Sequence, residues 1–185
     1  MAKDHILHKI RTAVGRSAGQ PPDAPPPLRL SIPEMSVEDR VDAFRRAIEK
    51  LAGKTFLAST PSEARAYVAG VVAGGIAIAS NAPFLERCGI TTLSSVRSGV
   101  TGRARLREAC STADVGVTSA GFALADTGTL VMLSSREEAR MISLLPPVHV
   151  AVMPREKILT GLDELLSVLP APAGQTSSMV LITGP

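Results

Sequence analysis

The stretch GVTSAGFALADTGTLVMLSS, Gly116 to Ser135, decides the fold. It opens inside an apolar strand pattern, DVGVTSAG. Two more apolar runs follow, FALA and TLVML, joined by Asp126, Thr127 and Gly128. Asp and Gly are strong tight-turn residues, so the pattern reads as a strand–turn–strand hairpin with its turn at Asp126 to Gly128. Asp126 is the lone carboxylate of a stretch with a buried character. Desolvating an unpaired carboxylate costs several kcal/mol on the order of. Either local amides or a ligand must therefore satisfy it.

Outward from that stretch, helix and strand signals alternate at short intervals. SVEDRVDAFRRAIEKLAG is a helix with Ser36 as N-cap and Gly53 at its end. KTFLAS reads as a strand, TPSEARAYVAGVVAG as a helix capped by Thr60 with Pro61 at its first position, and GIAIAS as a strand. NAPFLERCG is a short helix capped by Asn81, and RARLREACSTA is another helix. After the hairpin come a short helix (EEARMISLL), a strand (VHVAVMP), a helix (LTGLDELLSVL) and a last strand in SSMVLITGP. Strands rich in Val, Ile, Ala and Gly between helices imply an α/β fold of three layers: a mostly parallel sheet with helices on both faces, plus the hairpin. Ligands of such folds bind at the carboxyl ends of the strands. That rim would carry Ser80, Asn81, Thr118, Ser119 and the 126–129 turn.

Three segments divide the chain. Residues 1–14 form an amphipathic helix with Ile6, Leu7, Ile10 and Val14 at helical spacing and basic residues between them. Residues 15–33 form a linker with five prolines between Pro21 and Pro27, which neither helix nor sheet can cross. Residues 34–185 hold the α/β domain. The first helix is expected to pack on a neighbouring face, a partner or a second copy.

Composition narrows the function. Aromatics are 3%, with no Trp, which argues against a single-stranded nucleic-acid reader that stacks bases. Net charge is +3, and the densest basic group, Arg103 to Arg107, reads as a solvated helix face. Cys88 and Cys110 have no neighbouring Cys or His at ligand spacing, so no metal or iron–sulfur site is expected within the chain. They fit a reducing, cytoplasmic setting. No apolar run approaches a membrane span, and no secretion signal is legible. No Walker loop, GxGxxG, GxSxG or HExxH occurs, so no cofactor is expected.

The remaining candidates keep two readings each. Asp126, with Thr127, Gly128 and Thr129, suits a small polar anion or a cofactor tail; in the other reading, Asp126 only closes an Asx-turn. Arg140 is an anion anchor or a salt-bridge partner of Glu137. His149, in VHVAV, is a catalytic base or a hydrogen-bonded core histidine. A single Asp-Thr-Gly in an α/β chain lacks the second carboxylate of an aspartic protease.

From GVTSAGFALADTGTLVMLSS through ARMISLLPPVHVAVMPREKILTGLDELL, the sequence resembles the lactate-utilisation protein C family, the LUD domain. The likeness covers roughly Leu51 to Pro185. It lies in the Gly-Val-Thr strand, the acid-Thr-Gly-Thr turn, the Ser-Leu-Leu-Pro segment and the His-Val-Ala-Val strand. The resemblance implies a fold like the ribose-phosphate isomerase, glucosamine-phosphate deaminase and CoA-transferase superfamily. It also implies a subunit of a bacterial system that oxidises L-lactate to pyruvate, working with iron–sulfur cluster proteins. Asp126 would then act on a small anionic metabolite, with Thr118, Thr127, Gly128, Thr129, Arg140 and His149 around the ligand. The alternative is a free-standing isomerase or CoA-transferase type enzyme. The family usually has Glu where this chain has Asp126, one methylene shorter. Its members continue past the Ile-Thr-Gly-Pro segment into a further strand, so the domain is expected either to lack that strand or to be part of a longer product.

Overall fold

The computed structural model describes residues 2–17, 19–20 and 32–184. The proline-dense part of the linker, Pro21 to Pro27, lies outside them. The chain divides into two units, Met1–Leu30 and Ser31–Pro185.

The first unit contains α1 (Ala2–Ala13). Ile6, Ile10 and Val14 stand four residues apart and are all more than half exposed. They form one apolar stripe along the helix.

In the second unit, α2 (Val37–Lys50) starts at the expected cap. Ser36 Oγ accepts the Asp39 amide at 3.0 Å and donates to Asp39 Oδ2 at 2.7 Å. Its end is one residue earlier than expected. Ala52, with φ 62°, takes the left-handed position, and the Gly53 amide then donates to the Ile48 carbonyl. α3 (Pro61–Val72) begins as read, with Thr60 accepting the Glu63 amide. The KTFLAS segment between them is not a strand. Among the described residues no strand pairs with it; instead the half-exposed Phe56 stacks on Tyr67 of α3, ring centroids 4.4 Å apart. The apolar run is spent on a ring stack, not on a sheet.

Two four-stranded sheets follow. The first contains β1 (Ala77–Ala79), β2 (Val96–Arg97), β3 (Val115–Ser119) and β6 (Val148–Val152) in the order β2-β1-β3-β6, all parallel. Its connections carry α4 (Pro83–Arg87), α5 (Arg103–Ser111) and α6 (Met141–Leu144). Side chains alternate between its faces. Ala77, Ala79, Val115 and Val117 pack with Val68 and Val72 of α3 and Leu85 of α4. Ile78 packs on the other side with Leu106 and Cys110 of α5 and Ile142 of α6. Helices on both faces explain why these strands read as continuous apolar runs.

The hairpin forms as read, but it builds a second, mixed sheet instead of extending the parallel one. β4 (Phe122–Leu124) and β5 (Thr129–Leu133) are antiparallel, and β7 (Ile158–Leu159) and β8 (Met179–Thr183) flank them in the order β7-β4-β5-β8. Val41 of α2 covers one face, against Ala123, Ala125 and Ile158. Leu165 of α7 (Leu162–Val168) covers the other, against Leu124, Val131 and Leu159. At two residues each, β2 and β7 are too short to show alternation, so their sequences do not announce them. Cys88 and Cys110 are buried, which pushes both thiols up. No helix among the described residues is long and apolar enough to cross a membrane.

Candidate functional site

The parallel sheet has a switch point. From β1 the chain crosses to β2 on one side, then returns to place β3 on the other. The crevice between the carboxyl ends of β1 and β3 is therefore the natural ligand position. Ser80 follows β1, and Ser119 ends β3.

Both serines hold Glu138. Its Oε1 accepts the Ser80 hydroxyl at 2.8 Å and the Ser119 amide at 2.8 Å. Its Oε2 is buried with no partner among the described residues. Burial pushes the Glu138 carboxyl up to about 7, against the two hydrogen bonds and with a further push from Glu137. The segment is placed by Asn81, whose amide donates to the Glu137 carbonyl at 2.9 Å. Asn81 does not cap α4, whose N-cap is Ala82. Its side chain instead ties down the loop after β2, accepting the Gly99 amide and donating to the Val100 carbonyl.

Behind the rim, Thr118 Oγ1 and His149 Nε2 are 2.8 Å apart. Thr118 is fully buried. Burial lowers His149 to about 4, so at neutral pH the imidazole is uncharged and one tautomer serves the threonine.

In front of the rim lies an open cleft of about 430 Å³, within the usual range for small-molecule sites. Ser119, Ala120, Gly121 and Phe122 line it, with Leu133 and Val168 opposite in sequence and element. Arg87 and Lys157 supply its charge. Arg87 lies 5.4 Å from the Phe84 ring centroid, and Lys157 Nζ lies 5.0 Å from that of Phe122. Neither cation has a carboxylate partner among the described residues.

The structure divides the residues proposed from sequence into three places. Thr118 and His149 meet in the parallel sheet. The Asp126 turn lies before β5, in the second sheet, and Asp126 is exposed, not buried. Its backbone amide is taken by the Thr160 carbonyl, and its carboxylate accepts the Thr127 hydroxyl at 3.2 Å. The Gly128 amide goes to the Leu124 carbonyl, so the turn closes through backbone and not through the Asp126 side chain. Gly128, at φ 67°, lies tight on α2, where a Cβ would stand 2.9 Å from the Ile48 nitrogen. Thr127, Thr129 and Thr183 link hydroxyl to hydroxyl at 2.7 Å each. Arg140 follows the far end of β5 and donates to Ser178 Oγ at 3.2 Å, while Glu137 accepts Ser135 Oγ. Arg140 is thus neither beside Asp126 nor paired with Glu137.

Sequence reading placed Ser80 and Ser119 on the rim but missed Glu138, Arg87 and Lys157. The signal for Glu138 was present as the Glu137–Glu138 pair, which blended into a helix pattern. Among the described residues no cluster of His, Cys, Asp and Glu could hold a metal ion.

The LUD domain family matches residues 41–185. Lactate utilization protein C of Anoxybacillus flavithermus is 25% identical over 192 residues, covering 97% of this chain and 86% of that protein. Lactate utilization protein B of Bacillus subtilis is 38% identical over 89 residues, covering 45% of this chain. The chain spans only 19% of that protein B relative's length. Among solved structures, a DUF162 family protein from Deinococcus radiodurans superposes with a TM-score of 0.68 at 16% identity, covering 82% of this chain and 90% of that one. That likeness shows the α/β fold.

Proposed function

This chain belongs to the LUD domain family, and on that premise we propose that it serves bacterial lactate utilization by holding a small organic anion in the cleft at the switch point. The observation that carries this reading is the pair Arg87 and Lys157. Two cations without carboxylate partners among the described residues line an otherwise largely apolar cleft, an arrangement suited to an anion. Guanidinium and ammonium groups would fix a carboxylate, and Ser119 to Phe122 would form the wall beside it. The similarity to lactate utilization proteins B and C supports the metabolic setting. The electrons of lactate oxidation then belong to iron–sulfur partner proteins, since this chain holds no cysteine cluster. The α1 stripe of Ile6, Ile10 and Val14 is the contact for a second copy.

Calorimetric titration of the purified chain with L-lactate and with pyruvate tests the anion reading. Binding of either, weakened about tenfold or more by Arg87→Ala or Lys157→Ala, is the expected result. Two silent titrations would overturn it. Chromatography with light scattering tests the second-copy contact: a dimer is expected for the full chain and a monomer for one lacking residues 1–30, and equal states of the two would overturn it.

A further inference from the structure

The Glu138 carboxyl is fixed at one oxygen and open at the other. Ser80 and Ser119 saturate Oε1, while Oε2 is buried without a partner among the described residues. The Ser134 hydroxyl is likewise buried and without a partner among them. Both residues line one pocket of about 10 Å³, room for about one water molecule. A carboxylate with an unsatisfied buried oxygen is costly, whereas the neutral acid can place its proton on that oxygen and donate to a shared water.

This pocket and the ligand cleft share a wall. Leu133 lines both, and Ser119 lines the cleft while its amide is bound to Glu138. An ionised Glu138 therefore places a negative charge one residue behind the surface that an anion would occupy. An anion seated against Ser119 would repel that charge and so favour the protonated form. Resting on the anion-binding reading of the cleft, we propose that anion uptake is coupled to protonation of Glu138 on Oε2, so that near pH 7 the cleft takes up a fraction of a proton with each anion. The proton comes from solvent and returns there when the anion leaves, and no other bond changes.

The groups around Glu138 agree with this assignment. Glu137, from the same segment, favours the protonated form. β1 and β3 present Ser80, Thr118 and Ser119; Ser134 after β5 and Ser143 of α6 line the pocket, and all are uncharged. Arg140 lines the pocket too, but its guanidinium reaches Ser178. His149, beside β3, is kept neutral by burial. The balance already leaves Glu138 at about 7, where a nearby charge decides its state.

Carbon-13 NMR of the glutamate carboxyls, with Glu138→Gln to assign the signal, reads the titration directly. The expected midpoint lies near pH 7 in the free protein. It should rise by about half a pH unit or more with saturating pyruvate or L-lactate. A midpoint that a bound anion leaves unmoved overturns the proposal. So does pyruvate binding whose heat is identical in buffers of different ionisation enthalpy at pH 7.5, because no proton is then taken up; the anion reading of the cleft would survive that result.

Discussion

Gly116 of β3 lies directly under the Ile142 carbonyl of α6, so close that a methyl group at Gly116 would collide with that oxygen. The glycine in the Gly-Val-Thr strand is therefore a crossing point. It lets the short α6 lie against the sheet and brings the segment before it, with Glu138, to the rim. The obstacle is backbone, which cannot swing away as a side chain can. Gly116→Ala should destabilise the protein by about 3 kcal/mol, the upper range for overpacking, and urea denaturation will measure it. An unchanged unfolding midpoint would show that α6 can move aside freely.

Glu138 and His149 should give stability two opposed pH slopes. The folded Glu138 sits at about 7 against an ordinary 4.5, so the folded protein holds its proton more tightly. Its contribution is full below pH 4.5 and is lost as pH rises to 7, by about 3 kcal/mol at most. His149 sits at about 4 against 6.5. Its contribution is full above pH 6.5 and is lost as pH falls to 4, again by about 3 kcal/mol at most. Between pH 4.5 and 6.5 the two nearly cancel. Glu138→Gln should expose a stability that rises with pH through that window, and His149→Gln one that falls. Parallel profiles for both variants and the parent, from unfolding midpoints at each pH, would refute this.

The legible part of the fold was the part written in periodicity. Val115 to Val117 are buried between helices, Val148 to Val152 pair with that strand from the sheet edge, and the apolar runs of both announce a parallel sheet. Asp126-Thr127-Gly128 announces its turn because Gly128 must take a positive φ. KTFLAS misleads because strand propensity needs a partner strand, and Phe56 finds Tyr67 instead. The site was less legible for a different reason. Ser80 and Ser119 follow from strand ends, but the acid that meets them comes from a loop with no period. Arg87 and Lys157 come from elements far apart in sequence, joined only by the cleft.

Asp126→Asn separates turn geometry from chemistry in the β4–β5 turn. The side chain is exposed, and the turn is closed by Gly128 and Leu124 through backbone. Asparagine also tolerates such turns. Stability should therefore stay within about 0.5 kcal/mol of the parent, as for most exposed substitutions. Thermal unfolding checks that expectation, and growth on lactate as sole carbon source is scored in the same strain. Normal melting with failed growth assigns the carboxylate a chemical role; normal melting with normal growth leaves it as a turn residue.

At the end of α2, glycine in place of Ala52 is expected to stabilise the fold. Ala52 holds φ 62°, where a Cβ costs about 1 kcal/mol relative to glycine. Glycine loses more chain entropy on folding, which offsets part of that gain. Ala52→Gly should therefore raise stability by about 0.5 kcal/mol, and the melting temperature by about 1–2 °C. The neighbouring Gly53 provides the contrast. A Cβ there would stand 3.2 Å from the Ile48 carbonyl oxygen and would press on the Ile48 side chain, so Gly53→Ala should destabilise. The two variants differ by one position and exchange the same two residue types. Melting curves that move in opposite directions would establish that Ala52, and not Gly53, occupies the left-handed position at the helix end. Equal shifts of the same sign would place the turn elsewhere.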